Sequence, residues 1–196
     1  MTLKNYILKP FENVQEKTLL AIGVLTGVVI SCLQLLTHMR SIAILKQIAL
    51  KSAPTLAQTL SDFVITTIVM TLALFVFGKI INKKTRLIDI LNTVLIARIC
   101  LDISVLFDIN GYLSDFSLQL IDNIANPEIL LKSNPQGFVY LIITSFASIL
   151  CLVGFGYYIY QGFKLATNLK KKYMIIVFVL IILLVDTLTR LITTLY

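Results

Sequence analysis

Apolar residues gather in five long stretches separated by short polar connections: about Thr18 to Thr37, Leu60 to Ile81, Leu87 to Phe107, Phe138 to Tyr160, and Tyr173 to Leu195. Each supplies the ~20 residues that a helix rising ~1.5 Å per residue needs to cross a hydrocarbon core. The third stretch carries the most polar side chains. Between the first two, Arg40 to Thr59 is too short and too polar to cross. Its Ile42, Leu45, Ile48 and Ala49 recur at helical spacing, Lys46 and Lys51 interrupt the apolar surface, and Pro54 closes the pattern, which predicts an amphipathic helix lying in the interface. Pro10, placed just before Phe11, Glu12, Val14 and Glu16, predicts a short helix with acids in its first turns. The longest connection, Asp108 to Gln136, has turn signals at Asn110-Gly111 and Asn134-Pro135, and Leu118, Leu120, Ile121 and Ile124 predict a short amphipathic helix inside it. The expected fold is all-α: a polytopic membrane protein whose bundle of five transmembrane helices fills residues 18–196, with short interfacial amphipathic helices and an N-terminal segment of residues 1–17.

Composition names the same medium. Of 196 residues, 58% are hydrophobic and 14% charged, and the mean hydropathy of +0.91 lies well beyond what a soluble domain needs for its core. The net charge of +7 would raise the question of nucleic acid in a soluble protein. Here the cations cluster where apolar runs end, at Lys79, Lys83, Lys84 and Arg86 and again at Lys164, Lys170, Lys171 and Lys172. Clusters so placed meet lipid headgroups, so the bilayer is the expected partner and nucleic acid is not. The positive-inside rule puts both basic loops in the cytoplasm, the N-terminus inside and the C-terminus outside. Arg40, Lys46 and Lys51 then fall on the outer face, against the rule.

The chemistry in the sequence lies inside the spans. Arg98 and Asp102 are four residues apart, as are Asp186 and Arg190. An ionised residue at a helix centre costs roughly 2.5–3.5 kcal/mol to insert, so intramembrane charges are candidate functional groups. Counted from the inner helix ends, Arg98 and Asp186 lie at similar depths, and so do Asp102 and Arg190. The expectation is a four-residue cluster, Arg98 with Asp186 and Asp102 with Arg190, although each can also neutralise its neighbour one turn away. Such a cluster either clamps two helices or lines an ion or proton path. Asp89 and Asn92 in the first turns of span three either answer the helix dipole or form a polar entrance to an inner-leaflet cavity. Gly23 and Gly27 form a G-x-x-x-G and Gly154 and Gly156 a second small-residue pair, both suited to close helix packing. Tyr157, Tyr158, Tyr160 and Tyr173 read as an interfacial aromatic belt.

Cys32, Cys100 and Cys151 are odd in number and widely spaced, against a disulfide framework or a zinc site. His38 is the single histidine, and the sequence has no H-E-x-x-H, phosphate loop or G-x-S-x-G. No enzyme activity, cofactor or metal is expected.

The segment Leu72-Ala73-Leu74-Phe75-Val76-Phe77-Gly78, the polar stretch to Thr85 and then Leu87 to Ala97 resemble the most recognisable part of Yip1-domain membrane proteins, especially bacterial members. The opening Leu8-Lys9-Pro10-Phe11 and the closing Tyr157 to Leu195 are similar too. The chain lacks the span-three proline of many bacterial relatives and the Gly-Pro motifs of eukaryotic trafficking members, so vesicle function is not carried over. The resemblance implies a five-helix fold with a cytoplasmic N-terminus, in a bacterial cytoplasmic membrane. The expected function is that of a non-enzymatic scaffold or accessory protein, working through other membrane proteins or self-association. The alternative is a small transporter or channel-like protein that uses the Asp/Arg cluster.

Overall fold

The computed structural model describes residues 3–50, 52–108, 111–123, 128 and 132–195. Lys51, Asn110 and Ile124 lie outside the described residues. Five helices are long and apolar enough to cross a membrane, as expected: α3 (Glu16–Thr37), α4 (Leu56–Ile81), α5 (Leu87–Asp102), α7 (Pro135–Thr167) and α8 (Tyr173–Thr193). Two short helices precede them, α1 (Leu3–Leu8) and α2 (Pro10–Asn13), and α6 (Tyr112–Asp122) lies between the third and fourth spans. The chain is therefore a multi-pass membrane protein.

Local chemistry sets the helix ends. Thr55 and Gln58 form a reciprocal capping box that starts α4 at Leu56, a turn earlier than hydropathy alone indicates. Asn134 accepts from the Gly137 amide and starts α7 at Pro135, which gives a helix of 33 residues, about 50 Å long. After α5 the chain continues as a 3-10 turn, Ile103–Asp108. The Asp108 carboxylate then accepts the amides of Leu113 and Ser114 at 2.8 and 3.1 Å, which fixes the start of α6. Gly111, at φ +69°, makes the turn before it.

The segment after α3 departs from expectation. Residues 40–49 do not form an interfacial helix. Met39–Ser41 (β1) and Gln47–Ala49 (β2) pair antiparallel, Arg40 opposite Ile48, with Ile42 to Lys46 at the tip. His38, in the left-handed region at φ 53°, ends α3 and turns the chain back. The reason is burial: Arg40 to Ile44 are five consecutive buried residues, so no polar face exists to lie along an interface. Ile44 joins the central core with Met70, Leu74, Val94 and Phe155. The hairpin thus enters the bundle, a re-entrant loop whose non-helical backbone is tolerated at that depth because protein surrounds it.

The spans pack around α5. Over half of its span is buried, 56%, against 11% for α7 and 22% for α8, whose outer faces are broad and apolar. A side chain at Gly23 would meet Leu95 Cβ at 2.5 Å, and one at Gly27 would meet the Phe63 ring at 2.0 Å, so the G-x-x-x-G of α3 packs within the bundle against α5 and α4. Gly154 faces Cys100, whereas Gly156 faces open space and packs against nothing within 4 Å, so only one of that pair serves close packing. The closer approach on α7 is Gly162, where a Cβ would lie 2.4 Å from Thr93 Oγ1. Phe77, Phe163 and Phe178 stack in series, with centroids 5.6 and 4.6 Å apart, tying α4, α7 and α8 together near the basic loops.

Candidate functional site

Two polar regions stand out, one buried in the bundle near the hairpin and one at the end that carries the basic loops. In the first, Arg40 forms a two-pronged ion pair with Asp62 of α4, Nε to Oδ2 at 2.6 Å and Nη2 to Oδ1 at 3.0 Å. Its Nη2 also donates to the Thr193 carbonyl of α8 at 3.1 Å. Asp62 is fully buried. Thr193 Oγ1 donates to the Ile42 carbonyl, and the amide of Leu45 donates to Asp186 Oδ1 at 2.7 Å. Asp186 lies about 10 Å inward from the α8 end at Thr193, so that bond marks the depth the tip reaches. Gln34 of α3 donates to Ser41 Oγ at 2.6 Å, and Ser104 donates to Gln47 Oε1 at 3.2 Å. Three α-helices and the 3-10 turn after α5 therefore supply side chains to one inserted loop.

Arg98 sits one layer deeper. Its Nη1 donates into Phe63 O, Thr66 Oγ1 and Thr67 Oγ1 at 3.0, 2.7 and 2.6 Å, all on α4. Its guanidinium lies over the Phe63 ring at 4.8 Å, and the tip of that ring abuts Gly27. The carboxylate of Asp102, one turn on, is 4.0 Å from Arg98 Nη2. These groups and Ser31, Gln34 and Ser41 enclose a space of about 10 Å³, near the lower limit for one water molecule.

The expected interhelical cluster is therefore corrected. Arg98 and Asp102 form the pair along one helix, but Arg98 does not meet Asp186, nor Asp102 Arg190, among the described residues. Asp186 binds the hairpin backbone, and Arg190 is exposed near the end of α8, where its long stem can carry the charge to the headgroups. The physical reason is the hairpin: its tip touches α8 through Leu45 and shares a cavity with Leu101 and Ser104 beside α5. A backbone amide reaches Asp186 where a guanidinium was expected.

At the other end, Arg86 caps the approach to α5. Its Nε and Nη2 hold Asp89 at 2.9 and 2.5 Å, and Nη2 also holds Glu16 at the start of α3 at 2.9 Å. The hydrogen bonds that Arg86 donates to Asp89, followed by that to Glu16, raise the Arg86 pKa above its ordinary value. Beneath this partly exposed trio, Asn92 is buried and donates through Nδ2 to the Glu16 carbonyl at 3.1 Å, while its Oδ1 has no partner. Asp89 and Asn92 thus line a real cavity of about 310 Å³, closed by Phe11 and Val14 from the N-terminal segment. Tyr157 and Tyr158 donate to the carbonyls of Leu8 and Ile7, strapping that segment to α7. Lys83, Lys84, Lys170, Lys171 and Lys172 are exposed around the same end.

Comparison with protein-family models, with curated proteins and with solved structures gives no match. The site is accordingly read from its own geometry. Arg40, Asp62, Gln34, Thr66 and Thr67 are the contributors that sequence patterns missed. Asp62 is an acid near a helix start, a position the helix dipole alone would explain, and a threonine pair in an apolar run carries little signal. Arg40 did carry one: a cation on the side where cations are disfavoured needs a counter-charge. Among the described residues no three His, Cys, Asp or Glu side chains gather as a metal would need.

Proposed function

We propose that this protein is a non-enzymatic integral membrane scaffold or accessory protein of the Yip1-like type, resident in a bacterial cytoplasmic membrane and acting through lateral contacts with other membrane proteins. The observation that carries this reading is how the intramembrane charges are used. Arg40, Asp62, Arg98 and Asp186 each hold another part of the same chain, and the space at Arg98 and Asp102 is about 10 Å³. That favours a fixed internal lock over a conduction path. The broad apolar faces of α7 and α8 offer surface for lateral partners. In this reading the loops with Lys83, Lys84, Arg86 and Lys170 to Lys172 face the cytoplasm. Arg40 no longer argues against that orientation, since its charge is neutralised by Asp62.

Crosslinking in native membranes, followed by gentle solubilisation and mass spectrometry of what co-purifies with the tagged chain, tests the proposal. A stoichiometric membrane-protein partner is the expected result. A clean monomer or homo-oligomer, together with solute flux in liposomes abolished by Asp102→Asn, would replace it with transport. Labelling of cysteines introduced at positions 102 and 186, after the three native cysteines are removed, gives an independent reading. Protection from membrane-impermeant thiol reagents is expected.

A further inference from the structure

We propose that the cavity between α2, α3, α5 and α7 is a binding site for a primary ammonium group, carried by a phosphoethanolamine lipid headgroup. The cavity holds about 310 Å³, the lower end of the range for ligand pockets. It lies at the polar ends of α3 and α5, where headgroups reach it and a soluble core ligand would not be needed. This proposal is independent of the scaffold reading.

The lining chemistry selects a donor. Asn92 is 3% exposed, and its amide orientation is fixed because Nδ2 bonds the Glu16 carbonyl. The atom left without a partner is therefore the acceptor, Oδ1. A buried amide oxygen without a hydrogen bond is rare and costly unless something fills the place. Thr93 spends its proton on the Asp89 carbonyl, so its remaining capacity is also that of an acceptor. Glu16 and Asp89 outnumber Arg86 by one charge, which leaves the trio at −1 and disfavours a plain anion. The two carboxylates also occupy the positive ends of α3 and α5, which would otherwise attract a phosphate.

The remaining pieces fit a zwitterion. None of the Arg86 bonds to Asp89 and Glu16 uses Nη1, which is free to meet a phosphate oxygen at the rim. An ammonium then reaches inward to the Glu16 carboxylate and, where the side chains that cover it part slightly, to Asn92 Oδ1. The quaternary nitrogen of choline has no N–H to donate to Asn92, and glycerol has no positive charge to offer Glu16. Phe11 and Val14 give the acyl side an apolar wall.

The test uses the full chain, purified and delipidated in detergent, titrated with short-chain phosphatidylethanolamine, phosphatidylcholine or phosphatidylglycerol and read as bound adducts by native mass spectrometry. Phosphatidylethanolamine should bind at least about tenfold more tightly than the other two, and Asn92→Leu should remove about that factor. Glu16→Gln keeps the backbone carbonyl that orients Asn92 but loses the charge, and should weaken binding several-fold. Because Glu16 is partly exposed, this variant carries the test if Asn92→Leu does not fold. Equal binding of all three lipids, or a folded Asn92 or Glu16 variant that binds phosphatidylethanolamine as the unaltered chain does, overturns the proposal. Free O-phosphoethanolamine binding as tightly as the lipid would uphold the ammonium site and overturn the lipid as its source.

Discussion

Arg40 and Arg86 each hold a carboxylate two-pronged, yet one is sealed in the bundle and the other stands at its rim. The Arg40 partner, Asp62, has no exposure and Arg40 has little, so either group is left poorly solvated if the other is lost. Arg86 is more than half exposed and holds two acids that are themselves partly open to water. The contrast teaches that the bond lengths of an ion pair say little about its effect on stability, which its surroundings decide. The hairpin end is a lock that must be complete; the basic end is adjustable.

The sharpest way to break this contrast is Asp62→Ala, which leaves Arg40 charged and buried. A loss of about 3–5 kcal/mol is expected in unfolding from detergent micelles. Replacing Arg40 and Asp62 together by Met and Leu should recover much of that loss, since neither charge is then stranded. Gly27→Ala comes next. It drives a methyl into the Phe63 ring that also supports Arg98, and a loss of about 1–3 kcal/mol is expected by the same assay. Asp186→Leu removes the acceptor for the Leu45 amide and should cost about 1–2 kcal/mol, whereas Asp186→Asn, which keeps an oxygen there, should cost less. If the two Asp186 variants behave alike, the hairpin contact contributes nothing. The smallest effect belongs to Arg86→Gln, seen only at low salt. The ordinary pKa of arginine already keeps the guanidinium charged in the unfolded chain and the folded value is higher still, so around neutral and mildly alkaline pH the contribution of Arg86 should respond to salt and not to pH.

Five spans were legible because twenty apolar residues in a row have few other uses, and α7 and α8 follow that logic along their exposed faces. The hairpin was not. Ile42, Leu45, Ile48 and Ala49 satisfy helical spacing, but periodicity cannot register that Arg40 to Ile44 are buried on every side. Depth counting compares Arg98 with Asp186 in one dimension only, while the neighbours of each residue depend on helix order around the bundle, which the sequence does not state. Asp89 and Asn92 were recognisable as polar residues at a helix start. Their cavity depends on Gly162 and the returning N-terminal segment, contributions separated by over a hundred residues.

The bond from Arg40 to the carbonyl of Thr193 spans 153 positions. As the chain leaves the ribosome, the hairpin emerges long before α8, and until that helix is threaded into the bilayer neither Asp186 nor Thr193 is present to receive it. The hairpin must wait at the surface or rest on the contacts that Gln34, Asp62 and Ser104 alone supply. Completion of the molecule is thus set by its final helix, and a chain stalled before α8 would present an unfinished loop to the quality-control machinery of the membrane.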